Sequence, residues 1–142
     1  MKILSKYEFP ETLLFSRDNM WVRIAEMENT RSKVYVGLTD FAQQSIGPIE
    51  LVRILPKGHC VGRGRPFGWI ESEKRILLLR APVLGLIQEV NERLREQPGL
   101  VSIDPYGRGW VAAFRPFQLE EDKNELVSKP GELKRLLARG AL

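Results

Sequence analysis

The chain has one cysteine, Cys60, and one histidine, His59. A lone cysteine cannot close an internal disulfide, and one His with one Cys falls short of the three or four ligands a zinc centre takes, so neither a disulfide scaffold nor a metal site is indicated. The two residues are neighbours in the turn LPKGHCVGRG. Adjacent residues of an extended strand point to opposite faces, so the pair reads as two loop residues rather than as a nucleophile and its base. The glycines of G-R-G-R-P at 62–66 lack the spacing of a dinucleotide fingerprint and mark a turn. Long apolar runs are missing too: Ile76 to Leu79 is closed off by Arg75 and Arg80, and nothing approaches the roughly 20 residues needed to cross a bilayer. The start MKILSKYEFPETLL has no apolar core followed by a small-residue cleavage site. A cytoplasmic protein without a membrane span is expected.

What is present is ordinary globular material. Of 142 residues, 43% are hydrophobic and 28% charged, enough apolar content to bury a core and escape the disordered class. The length and the lack of a Gly/Ser linker or charge block predict a single domain over 1–142, with a core over about 13–118 and a C-terminal helical segment over about 119–142. The net charge is +4, and basic residues gather at Arg53, Lys57, Arg63, Arg65, Lys74, Arg75 and Arg80. Such a cluster is either a solvated surface or a patch that steers anionic partners. No recognition helix, zinc finger or aromatic-rich RNP sequence accompanies it, so no nucleic-acid partner is expected.

Short apolar or alternating runs between turn residues predict a mainly β fold, a barrel or a sandwich. The strands fall at 21–25, 33–37, 49–54, 66–72, 75–81, 85–90 and 109–115, with turns at LPKG, GRGRP, APVLG and DPYGRG. Polar EMENTRS at 26–32 reads as a hairpin loop. Three short helices flank the strands: LTDFAQQSIG, capped by Thr39 or Asp40 and stopped by Gly47; VNERLREQPG, capped by Asn91 and closed by Pro98 and Gly99; and a C-terminal helix after Ser128, with Pro130 in its first turn and Lys134, Arg135 and Arg139 toward its last. Gly37, Gly47, Pro82, Gly85, Pro105, Gly107 and Gly109 read as turn formers, and Trp21, Trp69 and Trp110 as core.

No set of side chains makes a conventional active site, which leaves the stretch FGWIESEKRILLLRAPVLGLIQEV, residues 67–90. Two strand-like runs flank the polar pair Glu73 and Lys74, placing the lysine at or near a hairpin tip. Exposure there suits an ε-amine that a modifying enzyme must reach, although a lysine in a turn is also an ordinary solubilising residue.

The residues WVRI (21–24), VGLTDFAQQSIGPI (36–49), ESEK (71–74), PVLGLIQEVN (82–91) and DPYGRGW (104–110) stand in the order and near the spacing of the glycine cleavage H-protein family, which the chain resembles over about 13–142. The resemblance implies a flattened β-barrel/sandwich hybrid of the lipoyl/biotinyl-domain (hammerhead) type with short flanking helices and a C-terminal helix. It implies lipoate in amide linkage on Lys74, with Glu71, Ser72 and Glu73 as the turn a lipoate ligase or lipoyl transferase recognises, and no catalytic or metal residue. The protein would then be a carrier rather than an enzyme, shuttling an aminomethyl group between glycine decarboxylase (P protein), aminomethyltransferase (T protein) and dihydrolipoyl dehydrogenase (L protein), with the chemistry lodged in cofactor and partners. The chain departs from the family in the apolar stretch after Lys74, in its basic balance, and in Asn19 where the family has histidine ahead of WVR. Those departures, with FPETLLF at 9–15, keep open an H-like lipoate-binding protein of a sulfur-oxidising heterodisulfide-reductase-like pathway, or an unmodified interaction module that would tolerate Lys74→Arg.

Overall fold

β-Branched and aromatic residues in alternation make the strands, and the register of their pairing decides which side each buries. The computed structural model describes residues 7–26, 32–128, 131–133 and 135. Among the described residues nine strands run as β1 (Leu14–Phe15), β2 (Met20–Ala25), β3 (Lys33–Leu38), β4 (Ile49–Ile54), β5 (Cys60–Val61), β6 (Pro66–Ser72), β7 (Ile76–Arg80), β8 (Gly85–Val90) and β9 (Ala112–Pro116). They form two antiparallel sheets, one of six strands ordered β1-β2-β3-β9-β8-β5 and one of three ordered β4-β6-β7. The mainly β prediction holds, as a pair of sheets rather than a closed barrel.

The main core lies between the sheets. Met20, Val22, Val34, Val36, Ile87 and Phe114 of the larger sheet meet Val52, Phe67, Ile70 and Leu79 of the smaller one. Phe67 and Phe114 pack edge to face with centroids 5.2 Å apart, a pairing worth about 0.5–1.5 kcal/mol beyond area burial. A second cluster, Phe9, Leu13, Phe15, Trp21, Val127 and Leu133, is separate from this core. Here Trp21 is fully buried, and its Nε1 donates to the Pro105 carbonyl at 2.8 Å. Gly37 pairs with Trp21 across β2 and β3, and a Cβ on Gly37 would stand 2.5 Å from the indole. The glycine expected to make a turn instead makes room for a ring. Gly37→Ala is expected to cost about 1–3 kcal/mol in urea unfolding, the usual range for overpacking; a change below 0.5 kcal/mol, by contrast, on the order of an ordinary surface substitution, would mean the indole can pivot aside.

Helix α1 (Asp40–Ile46) is capped by Thr39, whose side chain accepts from Ala42 N, and ends at Gly47 with φ 77°, a left-handed value that glycine adopts without a Cβ penalty. Asn91 caps the next segment as expected, but Glu92–Arg95 is a 3₁₀ turn rather than an α-helix. Pro98 and Gly99 do not close a helix either: Gly99 is the N-cap of α2 (Leu100–Ile103). Strand β9 starts at Ala112, three residues after the expected start, because DPYGRG continues as turn through Gly109. Gly85 opens a strand, where a Cβ would meet the Arg115 carbonyl oxygen at 2.6 Å. Helix α3 (Leu119–Lys123) follows β9. Most of the C-terminal helix expected after Ser128 and residues 27–31 of the expected hairpin loop lie outside the described residues; residues 131–133 are helical. No helix among the described residues is long and apolar enough to cross a membrane.

Candidate functional site

Strands β6 and β7 form the hairpin that carries Lys74. Gly68 pairs with Leu79, Trp69 with Leu78, Ile70 with Leu77 and Glu71 with Ile76, and the ladder closes with Ser72 N donating to the Arg75 carbonyl at 2.9 Å. Glu73 and Lys74 are therefore the two loop residues. Two-residue loops usually need φ > 0 and hence glycine or asparagine, yet Asn19 is the one described non-glycine residue with positive φ. This turn is stabilised by a side chain instead: the Ser72 hydroxyl accepts from Arg75 N at 3.2 Å and, more weakly, from Lys74 N at 3.4 Å. Serine here gives the tip's amides a partner that the ladder does not supply.

Lys74 is exposed, as are Glu73 and Arg75, while Glu71 and Ser72 are half-buried. Lys74 enters no ion pair among the described residues. The tip thus offers an unencumbered primary amine on a backbone held by a ladder and a hydroxyl. The Ser72 hydroxyl also faces the Arg75 carbonyl at 3.4 Å, and elsewhere the ring of His59 contacts the Pro56 carbonyl through Nδ1 at 3.0 Å. No group of acidic, His or Cys residues suited to a metal ion occurs among the described residues. The arrangement can receive an acyl group that another protein delivers.

Sequence reasoning missed the surface around the tip. Trp69, assigned to the core, is 38% exposed, and Ile76 and Leu78 are 64% and 47% exposed. Register places Trp69 opposite Leu78 and Arg53, and Glu71 opposite Ile76 and Leu51, so the outward face of the small sheet beside Lys74 exposes Trp69, Ile76 and Leu78 alongside Arg53 and Glu71. The period-two pattern of FGWIES and ILLLR carried that signal, but which half faces outward is a matter of tertiary packing. The mid-chain basic residues are spent separately: Arg63 on Asp122 at 3.1 Å, Arg80 on the Gly64 carbonyl at 3.1 Å, and Arg53 on the outer face.

The family model for the glycine cleavage H-protein matches residues 13–137. The chain is 35% identical over 123 residues to a glycine cleavage system H protein of Geobacillus sp. (strain WCH70), covering 87% of this chain and 93% of that one. It is 41% identical over 108 residues to the protein of that description from Rubrobacter xylanophilus, covering 76% and 82%, and 35% identical over 124 residues to a probable glycine cleavage system H protein of Pyrococcus horikoshii, covering 87% and 89%. The crystal structure of a glycine cleavage system H protein from Mycobacterium marinum superposes with a TM-score of 0.77 at 29% identity, covering 93% of this chain and 99% of that one.

Proposed function

The chain belongs to the glycine cleavage H-protein family, and we propose on that basis that Lys74 is its lipoyl-bearing residue. The family's role is that of a lipoyl carrier in the glycine cleavage system, and this chain takes that role. The observation that supports Lys74 is its position: an exposed lysine with no ion pair among the described residues, on a two-residue tip held by the β6–β7 ladder and Ser72.

Lipoate in amide linkage on a lysine supplies a cyclic disulfide that can take up a carbon-bound group and be returned to its oxidised form. This chain's own residues present the lysine and hold its tip. The exposed ε-amine of Lys74 is the acyl acceptor for a lipoate ligase or lipoyl transferase, and exposure lets that enzyme draw it into its own site. Ser72 holds the tip in one shape, and Glu71 and Glu73, both ahead of Lys74, give the modifying enzyme charges to read. Tethering then presents the arm to glycine decarboxylase, aminomethyltransferase and dihydrolipoyl dehydrogenase in turn, at an effective concentration set by its reach rather than by bulk solution. The residues that would do chemistry belong to those partners.

Peptide mass spectrometry of the protein isolated from its own cells tests the assignment. A lipoyl mass increment on the peptide that contains Lys74 is the expected result; a consistently bare Lys74, or the increment on another lysine, overturns it.

A further inference from the structure

Away from the β6–β7 hairpin, a shallow cleft of about 510 Å³ is lined by Arg23, Asn91, Arg93, Asp104, Arg108 and Trp110, with Gly107. Three arginines, from β2, the 3₁₀ turn and the loop after α2, line it with one aspartate. That carboxylate is already engaged: Asp104 Oδ2 accepts from Arg108 N at 2.9 Å and stands 3.4 Å from Arg108 Nε. Neither Arg23 nor Arg93 forms an ion pair among the described residues. The cleft therefore carries positive charge that no ion pair among the described residues neutralises at Arg23 or Arg93.

Arg23 is held by rings, and the backbone segments that carry Arg93 and Arg108 are tied together. The guanidinium carbon of Arg23 lies 4.8 Å from the Tyr35 ring centroid and 5.9 Å from that of Trp21, and Tyr35 packs edge-on against Trp110 at 5.5 Å. A cation resting on ring faces keeps its N–H donors for other acceptors. Asn91 is only 5% exposed, and all its side-chain polar atoms are used. Its Nδ2 donates to the Arg108 and Trp110 carbonyls at 2.8 and 2.7 Å, and its Oδ1 accepts from Arg93 N at 3.2 Å. One buried amide thus ties the backbone bearing Arg93 to the loop bearing Arg108, so two arginines distant in sequence leave the surface from a shared anchor.

We propose that this cleft is a docking site for an acidic peptide segment of a partner protein, with carboxylates engaging Arg93 and Arg108 and Arg23 as the third contact. Guanidinium forks match carboxylates in a bidentate fashion. The shape decides for a chain segment: small-molecule sites enclose most of the ligand surface, whereas this cleft is shallow and the Arg108 side chain is 60% exposed. The net charge of +4 also favours encounter with an acidic partner. The proposal stands independently of whether Lys74 is acylated.

The test is titration of the full chain with a hexaglutamate peptide, followed by NMR of the arginine Nε–H and tryptophan indole N–H signals, with hexaglutamine and inorganic pyrophosphate as the other probes. Hexaglutamate is expected to shift Arg23, Arg93, Arg108 and Trp110, and to bind about tenfold more weakly to the double variant Arg93→Ser, Arg108→Ser. Arg75→Ser should bind like the parent, and hexaglutamine should not bind. Both sites of the double variant are exposed, and its spectrum elsewhere reports whether it is folded. Equal binding by the double variant, shifts confined to the mid-chain basic residues, or no binding of hexaglutamate at millimolar concentration would each overturn the proposal. Tighter binding of pyrophosphate than of hexaglutamate would also overturn it, in favour of a phosphate ligand.

Discussion

Lys74→Arg should reduce glycine-dependent carbon dioxide release in a reconstituted glycine cleavage system to the level seen without the carrier, while leaving the unfolding midpoint unchanged. The substitution keeps the positive charge at an exposed loop position with no ion pair among the described residues, where changes stay within about 0.5 kcal/mol. It removes a primary amine that can be acylated and supplies a guanidinium that cannot. Since tethering raises effective affinity by roughly 10²–10⁴, a free cofactor in solution should not compensate, and the loss should be at least about a hundredfold. Turnover that survives in the variant would place the carrier function elsewhere in the chain. A variant that is inactive and also unfolds early would instead indict the hairpin, which is why both quantities are measured on the same sample.

Asp122→Ala should be the most destabilising of the polar substitutions considered, by about 2–4 kcal/mol, the range for stranding the partners of a buried carboxylate. Asp122 is 0% exposed. Its Oδ2 accepts from Leu84 N at 2.8 Å, and its Oδ1 from Gln118 Nε2 at 3.0 Å and Arg63 Nη1 at 3.1 Å. One side chain thus pins α3 to the turn between β7 and β8 and to the loop ahead of β6. The Arg63 side chain is 42% exposed and can turn to water, which keeps the estimate below the upper limit for a fully buried pair. Urea unfolding checks the free energy, and a fall in Tm on the order of 10 °C should accompany it. Lys123→Ala, which breaks an exposed pair with Glu120 at 3.4 Å, serves as the control and should change stability by well under 1 kcal/mol. If the two variants were equally stable, water would be replacing the carboxylate and the junction would be less dry than its burial implies.

Asp122 also marks where sequence reading stops. In LEEDK it looks like one more solvated acid, and only partners 38 and 59 residues away reveal its burial. Local chemistry was legible: Thr39, Gly47 and Asn91 act as helix ends because capping needs only a few neighbouring residues. Lys74 at a tip followed from a polar pair between two strand-like runs. The two-residue strands β1 and β5 were not legible, since they exist only through pairing with β2 and β8. Trp69 was assigned inward because aromatic residues favour cores, whereas its register partners put it on the outer face. Gly99 was read as a stop because glycine ends helices more often than it begins them. The arginine cleft draws on residues 23, 93 and 108, a grouping that no periodicity announces.

The apolar outer strand of the Lys74 hairpin has a consequence for how the chain behaves in a crowd. Strand β7 is an outer strand of its sheet, and with Ile76 and Leu78 exposed it is the kind of segment onto which another molecule can add a strand, the first step toward fibrils. Arg75 and Arg80 bracket it in sequence, and Arg80 is fastened to the Gly64 carbonyl. These two cations act as gatekeepers: stacking copies of β7 would bring like charges together at both ends. The basic residues that set this hairpin apart therefore protect against self-assembly the same edge that brings Lys74 into the open.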